Sequence, residues 1–135
     1  MNYLSEQYLE EMDWQTLSAN PSAIHLLEAN LDKVNWSILT QKEWAIHLLE
    51  SNPDKIDWLW LSGNPSANHL LEANPDKIDW SMLSLNHGAL HLLEANLDKV
   101  EWYDLSSNPC SIPLLNDNYK RIIWAGLSSN PNAFS

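Results

Sequence analysis

The chain contains little cysteine, glycine and phenylalanine and few basic residues. Its 135 residues include one cysteine, three glycines, one phenylalanine and only seven lysines and arginines, against 18 acidic residues. A single cysteine, Cys110, excludes an intrachain disulfide. The formal net charge of −11 leaves no basic stripe of the kind that binds nucleic acid, and it disfavours anionic membrane surfaces. We therefore expect neither a nucleic acid nor a membrane as partner.

Long apolar runs are absent as well. No segment of the sequence approaches the roughly 18 apolar residues that cross a bilayer. The N-terminal segment 1–13, MNYLSEQYLEEMD, contains no basic stretch followed by an apolar run, so it does not resemble a secretory signal. A lone cysteine fits a reducing compartment. These features predict a soluble, cytoplasmic protein.

Tryptophan, in contrast, is abundant and evenly spaced. A spacing that stays constant along the whole chain indicates a tandem repeat within a single domain over residues 1–135. The predicted full repeats are 14–35, 36–57, 58–79, 80–101 and 102–123, between an N-terminal partial or capping unit at 1–13 and a C-terminal partial unit at 124–135. The periodic tryptophans are Trp14, Trp36, Trp58, Trp80, Trp102 and Trp124.

Each repeat contains two segments with helix-start signals. In the third repeat, Asn64-Pro65 opens one segment and Asn74-Pro75 opens another, which we expect to continue past Trp80 through Leu83. Asparagine caps helix N-termini and proline suits the first helical position. In the second repeat Thr40 replaces the first asparagine and, with a glutamate three residues later, reads as a capping box. The predicted caps are Asn20, Thr40, Asn52, Asn64, Asn74, Asn86, Asn108 and Asn130, and each asparagine could also end the preceding helix in a left-handed conformation.

Helices of about nine residues are unstable alone, so they must bury their apolar faces against neighbours. The predicted fold is therefore all-α, a superhelical solenoid of 22-residue helix-turn-helix repeats, right-handed by analogy with other paired-helix arrays. Its predicted core comprises the periodic tryptophans and Leu17, Leu39, Leu61, Leu83, Leu105 and Leu127. The alternative is a leucine-rich-repeat-like solenoid, whose usual range of repeat lengths includes the one found here. Proline at the segment starts argues against the strand that it requires.

Histidines and glutamates form two columns that could suggest a metal site. They are His25, His47, His69 and His91 with Glu28, Glu50, Glu72 and Glu94. Packed helices lie about 8–10 Å apart, whereas zinc lies about 2 Å from an imidazole nitrogen. Neighbouring repeats would not share one ion, so we expect a surface ladder, no metal and no cofactor.

Nothing in the pattern resembles a catalytic centre. A catalytic site is usually a singular constellation, whereas most polar residues here recur from repeat to repeat. The recurrent serines, such as Ser62 and Ser84, stand at helix ends, where hydroxyls usually bond to backbone groups. The polar run at 116–121 is unique, but it reads as a degenerate terminal repeat. We expect a protein that is not an enzyme.

Positions that vary between repeats are free to specify a partner. The candidate protein-binding residues are Trp44, Trp60, Asn68, His87 and Tyr103, with the two non-periodic tryptophans as interface anchors. The alternative for the tryptophans is the filling of local gaps. Asp32, Asp54, Asp76 and Asp98, each followed by a lysine, are expected mainly to cap helices and to face solvent; the alternative is that these carboxylates form an acidic strip that steers a basic partner.

The string LSxNPxAxHLLExNxDKIxW, found in residues 17–36 and 61–80 and in their copies, resembles tandem repeats of giant DNA viruses that infect algae and amoebae. The resemblance covers nearly the whole chain. It implies a viral origin, a host or viral protein as partner and the cytoplasm of an infected cell as location. It implies no catalytic residues.

Two functions follow from the sequence. The first is a non-enzymatic scaffold for protein–protein interaction. The second is a structural spacer or assembly component that associates end to end, suggested by the partial unit at 124–135, where an apolar end would stack on another chain. The acidic residues 1–13 read as a cap, which weakens the second hypothesis.

Overall fold

The computed structural model describes residues 6–134, and all regular secondary structure in this range is helical. The α-helices are α1 (Trp14–Leu17), α2 (Ile24–Ala29), α3 (Trp36–Thr40), α4 (Ile46–Ser51), α5 (Trp58–Leu61), α6 (Asn68–Ala73), α7 (Trp80–Ser84), α8 (Leu90–Glu94), α9 (Trp102–Ser107), α10 (Ile112–Asp117) and α11 (Trp124–Leu127). The 3-10 helices are η1 (Glu6–Glu11), η2 (Pro21–Ala23), η3 (Leu31–Lys33), η4 (Glu43–Ala45), η5 (Pro53–Lys55), η6 (Pro75–Lys77) and η7 (Tyr119–Arg121). The predicted all-helical class is confirmed. The leucine-rich-repeat-like alternative requires one strand per repeat, and residues 6–134 contain no strand.

The helices are shorter than predicted, and the repeat is divided into more helical pieces than the two expected. The segment that begins at Pro21 has a 3-10 first turn (η2), and only its second part is α (α2). The other predicted segment is broken. After η6 come two extended residues, Ile78 and Asp79, and only then does α7 begin. The prediction of one continuous helix from Pro75 through Trp80 is therefore wrong.

The breaks before Trp36 and Trp80 have a local cause in the two residues that precede each tryptophan. Val34 is extended, with φ −66° and ψ 136°, and its side chain is buried in the core. Asn35 follows and accepts the N–H of Ile38 at 3.1 Å, so it is the N-cap of α3. Asp79 caps α7 in the same way, accepting the N–H of Met82 at 2.9 Å. An N-cap residue is non-helical by nature, so the helix has to restart at the tryptophan.

Asp13 is a third cap of this kind, at the start of α1. Its carboxylate accepts the backbone N–H groups of Gln15 and Thr16 and the hydroxyl of Thr16 at 2.7 Å. The hydroxyl bond, followed by the backbone bond from the same residue, lowers the pKa of Asp13 below its ordinary value. The sequence analysis missed this group of caps, although an asparagine or aspartate stands directly before four of the six periodic tryptophans.

The predicted asparagine caps divide into two groups. Asn20 and Asn64 each accept the N–H two residues further on, at 3.0 Å. Asn52 and Asn74 accept no such bond, so their assignment as N-caps is wrong. Their side-chain amides fold back instead and donate to carbonyls four residues earlier at 2.9 Å, which closes the preceding helix. They do so at φ −135°, and no residue between 6 and 134 has the left-handed conformation that we expected at such helix ends.

Thr40 is not part of a capping box. It is the last residue of α3, and its hydroxyl donates to the carbonyl of Trp36. Residue Lys42 occupies the N-cap position of η4. The reason is register: Thr40 stands where sister repeats have Ser18 or Ser62, which make the same bond to their own tryptophan carbonyl.

The described chain consists of two compact units, residues 6–56 (unit 1) and residues 57–134 (unit 2). The core of unit 1 contains Ala23, Leu27, Val34, Leu39, Ala45 and Leu48, with Trp14, Leu17, Trp36 and Trp44 packed against it. Its two repeats are also joined by polar bonds. Ser18 donates to the Trp14 carbonyl at 2.7 Å and accepts the N–H of Asn35 at 2.9 Å.

Unit 2 is built on two columns of leucines with no exposed surface or almost none. One column comes from the helices that begin at a periodic tryptophan, here called the tryptophan helices, and contains Leu61, Leu83 and Leu105. The other column comes from the helices that follow them and contains Leu71, Leu93 and Leu115. A column of buried serines repeats the bond made by Ser18. The hydroxyls of Ser62, Ser84 and Ser106 accept backbone N–H groups 17 residues later, at 2.9–3.0 Å, from Asp79, Glu101 and Ile123.

Buried asparagines form a second ladder in unit 2. Asn86 donates to the carbonyls of Ser62 at 2.9 Å and Asn64 at 3.1 Å, and accepts the N–H of Gly88 at 2.8 Å. Asn108 and Asn130 repeat this set of bonds to the repeat before them. Each asparagine side chain thus accepts a backbone N–H of its own turn and donates to backbone carbonyls of the preceding repeat.

Candidate functional site

The periodic tryptophans are less buried than a core column would be. The first five are half-buried, and Trp124 is 67% exposed, so the core assignment is wrong for Trp124. Leu17 and Leu127 are also only half-buried, unlike the other predicted core leucines.

A cation lies over the face of four of the tryptophan rings, at 4.9–5.9 Å from the centroid. The pairs are Lys33 with Trp14, Lys77 with Trp58, Lys99 with Trp80 and Arg121 with Trp102. Each covering side chain comes from the turn that precedes the next periodic tryptophan. This face of the rings is therefore occupied by the chain's own residues.

The four histidines of the column, on α2, α4, α6 and α8, are exposed. His47 lies 3.9 Å from Glu50 on the same helix. His47 and Glu28, from successive repeats, line the same shallow depression in unit 1, of about 390 Å³. Among residues 6–134 no three His, Cys, Asp or Glu side chains are grouped to hold a metal ion.

Trp44 belongs to the packing of unit 1. It is half-buried against the core cluster defined above. This placement favours the alternative that it fills a gap, and it makes Trp44 a poor test residue for binding, because its removal would open a cavity.

The side chain of Asn68 also forms a contact within the fold. Its amide donates to the carbonyl of Gly88 in the next repeat, and its buried carbonyl oxygen has no partner. A second contact accounts for the glycine at position 88, because a Cβ there would lie 2.5 Å from the Pro65 carbonyl oxygen. Two departures from the repeat consensus therefore occur together. The neighbouring His87 is exposed.

Trp60 and Tyr103 are exposed on the tryptophan helices α5 and α9 of unit 2, at 38% and 54%. Two further apolar residues on these helices and at the end of α7, Leu59 and Leu85, are exposed to a similar degree. The sequence analysis missed both leucines. The available signal was that sister repeats place Gln15, Ser37 and Ser81 where Leu59 stands, so a leucine there departs from a polar surface position.

One carboxylate on the same helices is electrostatically unusual. Asp104 is half-buried on α9, at a position where the sister repeats have Thr16, Ile38, Trp60, Met82 and Gly126. Partial burial raises its pKa above the ordinary value, and the negative charges of Glu101 and Asp79 raise it further. No cation between residues 6 and 134 forms an ion pair with it. Sequence reasoning missed Asp104 as well.

The recurrent serines, the lone cysteine and the unique polar run are placed as follows. Ser62 and Ser84 use their hydroxyls in backbone bonds, and Cys110 is exposed with its N–H bound to Asn108. The unique polar run at 116–121 includes Arg121, which covers Trp102.

The chain matches no protein family model, no curated protein and no solved structure. Between residues 6 and 134, no helix combines the length and apolar character required for a bilayer crossing.

Proposed function

We propose that this chain is a non-enzymatic scaffold for protein–protein interaction. The observation that carries the proposal is the group of exposed apolar side chains on α5, α7 and α9, including Trp60, Leu85 and Tyr103. Exposed aromatic and aliphatic residues on neighbouring helices are typical of interaction surfaces. Trp60 and Tyr103 replace smaller or polar residues of sister repeats, so the core does not require them.

We further propose that the repeats form one superhelical solenoid. Support comes from the polar bonds between successive repeats, which recur at fixed separations of 17, 22 and 24 residues in unit 2. A repeating contact of this kind generates an extended surface rather than an enclosed pocket. Such a surface suits a protein partner better than a small substrate.

The resemblance to repeat proteins of giant DNA viruses supports a viral origin. On that basis we propose a host or viral protein as the partner and the cytoplasm of an infected cell as the location. The net charge of −11 favours a basic partner.

The test is capture of partners from algal and amoebal cell lysates on the immobilised protein, read by quantitative mass spectrometry. Wild type is compared with the double variant Trp60→Ser/Tyr103→Ser. The matched control is Tyr119→Ser, which removes a tyrosine from η7, outside the tryptophan helices, that is 64% exposed against 54% for Tyr103. We expect a protein that wild type and Tyr119→Ser retain and that the double variant loses. Equal retention by all three proteins would refute the assignment of this face.

The second candidate function is structural, as a component that associates end to end. Its support is the exposed apolar side chains at the last described repeat, namely Ile123, Trp124 and Phe134. Light scattering over a hundredfold range of protein concentration tests it, with Trp124→Ser/Phe134→Ser as the variant. A mass that rises with concentration for wild type alone supports association, and a monomer throughout contradicts it.

A further inference from the structure

We infer that the exposed face of α5, α7 and α9 binds an amphipathic segment of a partner protein and pairs a lysine or arginine of that segment with Asp104. The inference rests on the proposed scaffold function and specifies the chemistry of the partner. The α5–α9 face is defined here as Leu59, Trp60, Leu85, Tyr103 and Asp104.

Two contacts between repeats show that α5, α7 and α9 are packed one after another. The hydroxyl of Ser84, at the end of α7, accepts the N–H of Glu101, the residue before α9, at 3.0 Å. At the preceding step, the tip of Met82 on α7 approaches Gly63, which follows α5, so closely that a Cβ there would lie 2.9 Å from it. The apolar residues of the three helices therefore belong to neighbouring turns of one unit.

Asp104 lies on the side of α9 that faces α7. Its carboxylate senses the charge of Asp79, the N-cap of α7, as well as that of Glu101 in its own repeat. At the equivalent position of the next repeat is Gly126, where a Cβ would lie 2.5 Å from the Tyr103 carbonyl and 3.1 Å from the Ser106 side chain. The repeat thus places this position against the preceding tryptophan helix, which accounts for the partial burial of Asp104.

A carboxylate in such a place is unfavourable for the fold. It loses part of its hydration, it lies near two like charges, and no cation from residues 6–134 compensates for them. The sister positions Ile38 and Met82 show that an isoleucine or a methionine is accommodated at an equally half-buried place. A cation supplied from outside would relieve the cost, so the local charge selects a basic group as the occupant.

The surrounding side chains define the rest of that occupant. Trp60 and Tyr103 offer aromatic faces, and Leu59 and Leu85 offer aliphatic contact, all exposed. A segment that alternates basic and apolar residues would satisfy both the carboxylates and the apolar surface. Phosphate groups of nucleic acids or lipids would be repelled by Asp79, Glu101 and Asp104.

The probe is a library of random short peptides displayed on phage and selected against the wild-type protein. The affinities of the enriched peptides are then measured by fluorescence anisotropy on four proteins. These are wild type, Asp104→Asn, Trp60→Ser/Tyr103→Ser and Asp98→Asn, the last being a control that removes an exposed carboxylate outside the α5–α9 face. Urea unfolding of each variant confirms that it is folded, and Asp104→Asn is expected to be at least as stable as wild type.

We expect peptides enriched in lysine or arginine together with apolar residues. Asp104→Asn should weaken them by about tenfold, the usual scale for a lost charge-assisted hydrogen bond, and Asp98→Asn should leave them unchanged. Peptides without basic residues, or peptides that need Trp60 and Tyr103 but tolerate Asp104→Asn, would overturn this inference and leave the scaffold function standing. Absence of any peptide that depends on this face would count against both.

Discussion

Asn86→Ala is the sharpest test of how the repeats of unit 2 hold together. The side chain of Asn86 is 1% exposed and makes three hydrogen bonds, two of them to carbonyls of the preceding repeat. Alanine fits the backbone conformation but makes none of these bonds. The variant leaves the carbonyl of Ser62 and the N–H of Gly88 without this partner, and the carbonyl of Asn64 keeps only the N–H of Ala67, at 3.1 Å.

The expected cost follows from those three groups. A hydrogen bond contributes about 0.5–1.5 kcal/mol net, and a buried group left unpaired costs about 1–3 kcal/mol. The three losses together predict destabilisation of about 3–5 kcal/mol, a large part of the total stability of a small domain. Asn86→Asp should cost at least as much, because its second carboxyl oxygen would face two carbonyl oxygens.

The assay is urea unfolding followed by far-ultraviolet circular dichroism, with the midpoint and the slope fitted separately. Asn20→Ala is the matched control, since Asn20 is the exposed equivalent in the first repeat and makes the turn bond alone. Loss of an exposed cap costs about 0.5–2 kcal/mol. If Asn86→Ala costs no more than Asn20→Ala, the buried ladder does not stabilise the stack and this reasoning is wrong.

Three further predictions use the same unfolding assay. Gly88→Ala should destabilise by about 1–3 kcal/mol because its Cβ would meet a backbone carbonyl, whereas Gly63→Ala should change little because it meets only a flexible side-chain tip; equal effects would contradict the close approach. Ser84→Ala should cost about 1–2 kcal/mol through its two backbone bonds, and the exposed Ser128→Ala less than about 0.5 kcal/mol; the reverse order would exclude a serine ladder. Asp104→Asn should raise stability at pH 7 by up to about 1 kcal/mol. Because folding raises the pKa of that carboxyl, its ionisation opposes folding at neutral pH and the penalty fades as the pH falls through the folded pKa; an advantage that grows as the solution is made more acidic would refute this sign.

Local chemistry is the part of this fold that the sequence expresses most directly. The helical class and the bond between Asn20 and the N–H two residues later depend only on neighbours in the chain, so composition and spacing reveal them. The same spacing misassigned Asn52, because one asparagine can cap the helix after it or the helix before it. The choice depends on a backbone angle, ψ 59°, that no motif records.

The break before each tryptophan was hidden for a related reason. A periodic apolar pattern continues across Ile78 and Trp80 whether or not the helix does. Only the side chain of Asp79, acting as a cap, shows where the helix restarts. Helix-start signals that lack proline are easily read as part of a longer helix.

The candidate surface was predictable in part. Departure from the repeat consensus pointed to Trp60 and Tyr103, and both are exposed. The same criterion also selected Trp44 and Asn68, which pack within the fold, because a varied position can serve a neighbour as readily as a partner. Asp104 required knowledge of which residues lie across from it, and that is a property of the packed helices alone.

The bonds between repeats in unit 2 have a consequence at the level of the gene. The serine and asparagine side chains bind backbone atoms at separations of 17, 22 and 24 residues, so they do not depend on which side chains the neighbouring repeat carries. Excision of residues 80–101 would join Asp79 to Trp102, and Asn108 would then find the carbonyls of Ser62 and Asn64 at the same separations. A gene for such a chain can therefore gain or lose the codons of one whole repeat by unequal recombination without any new interface having to evolve.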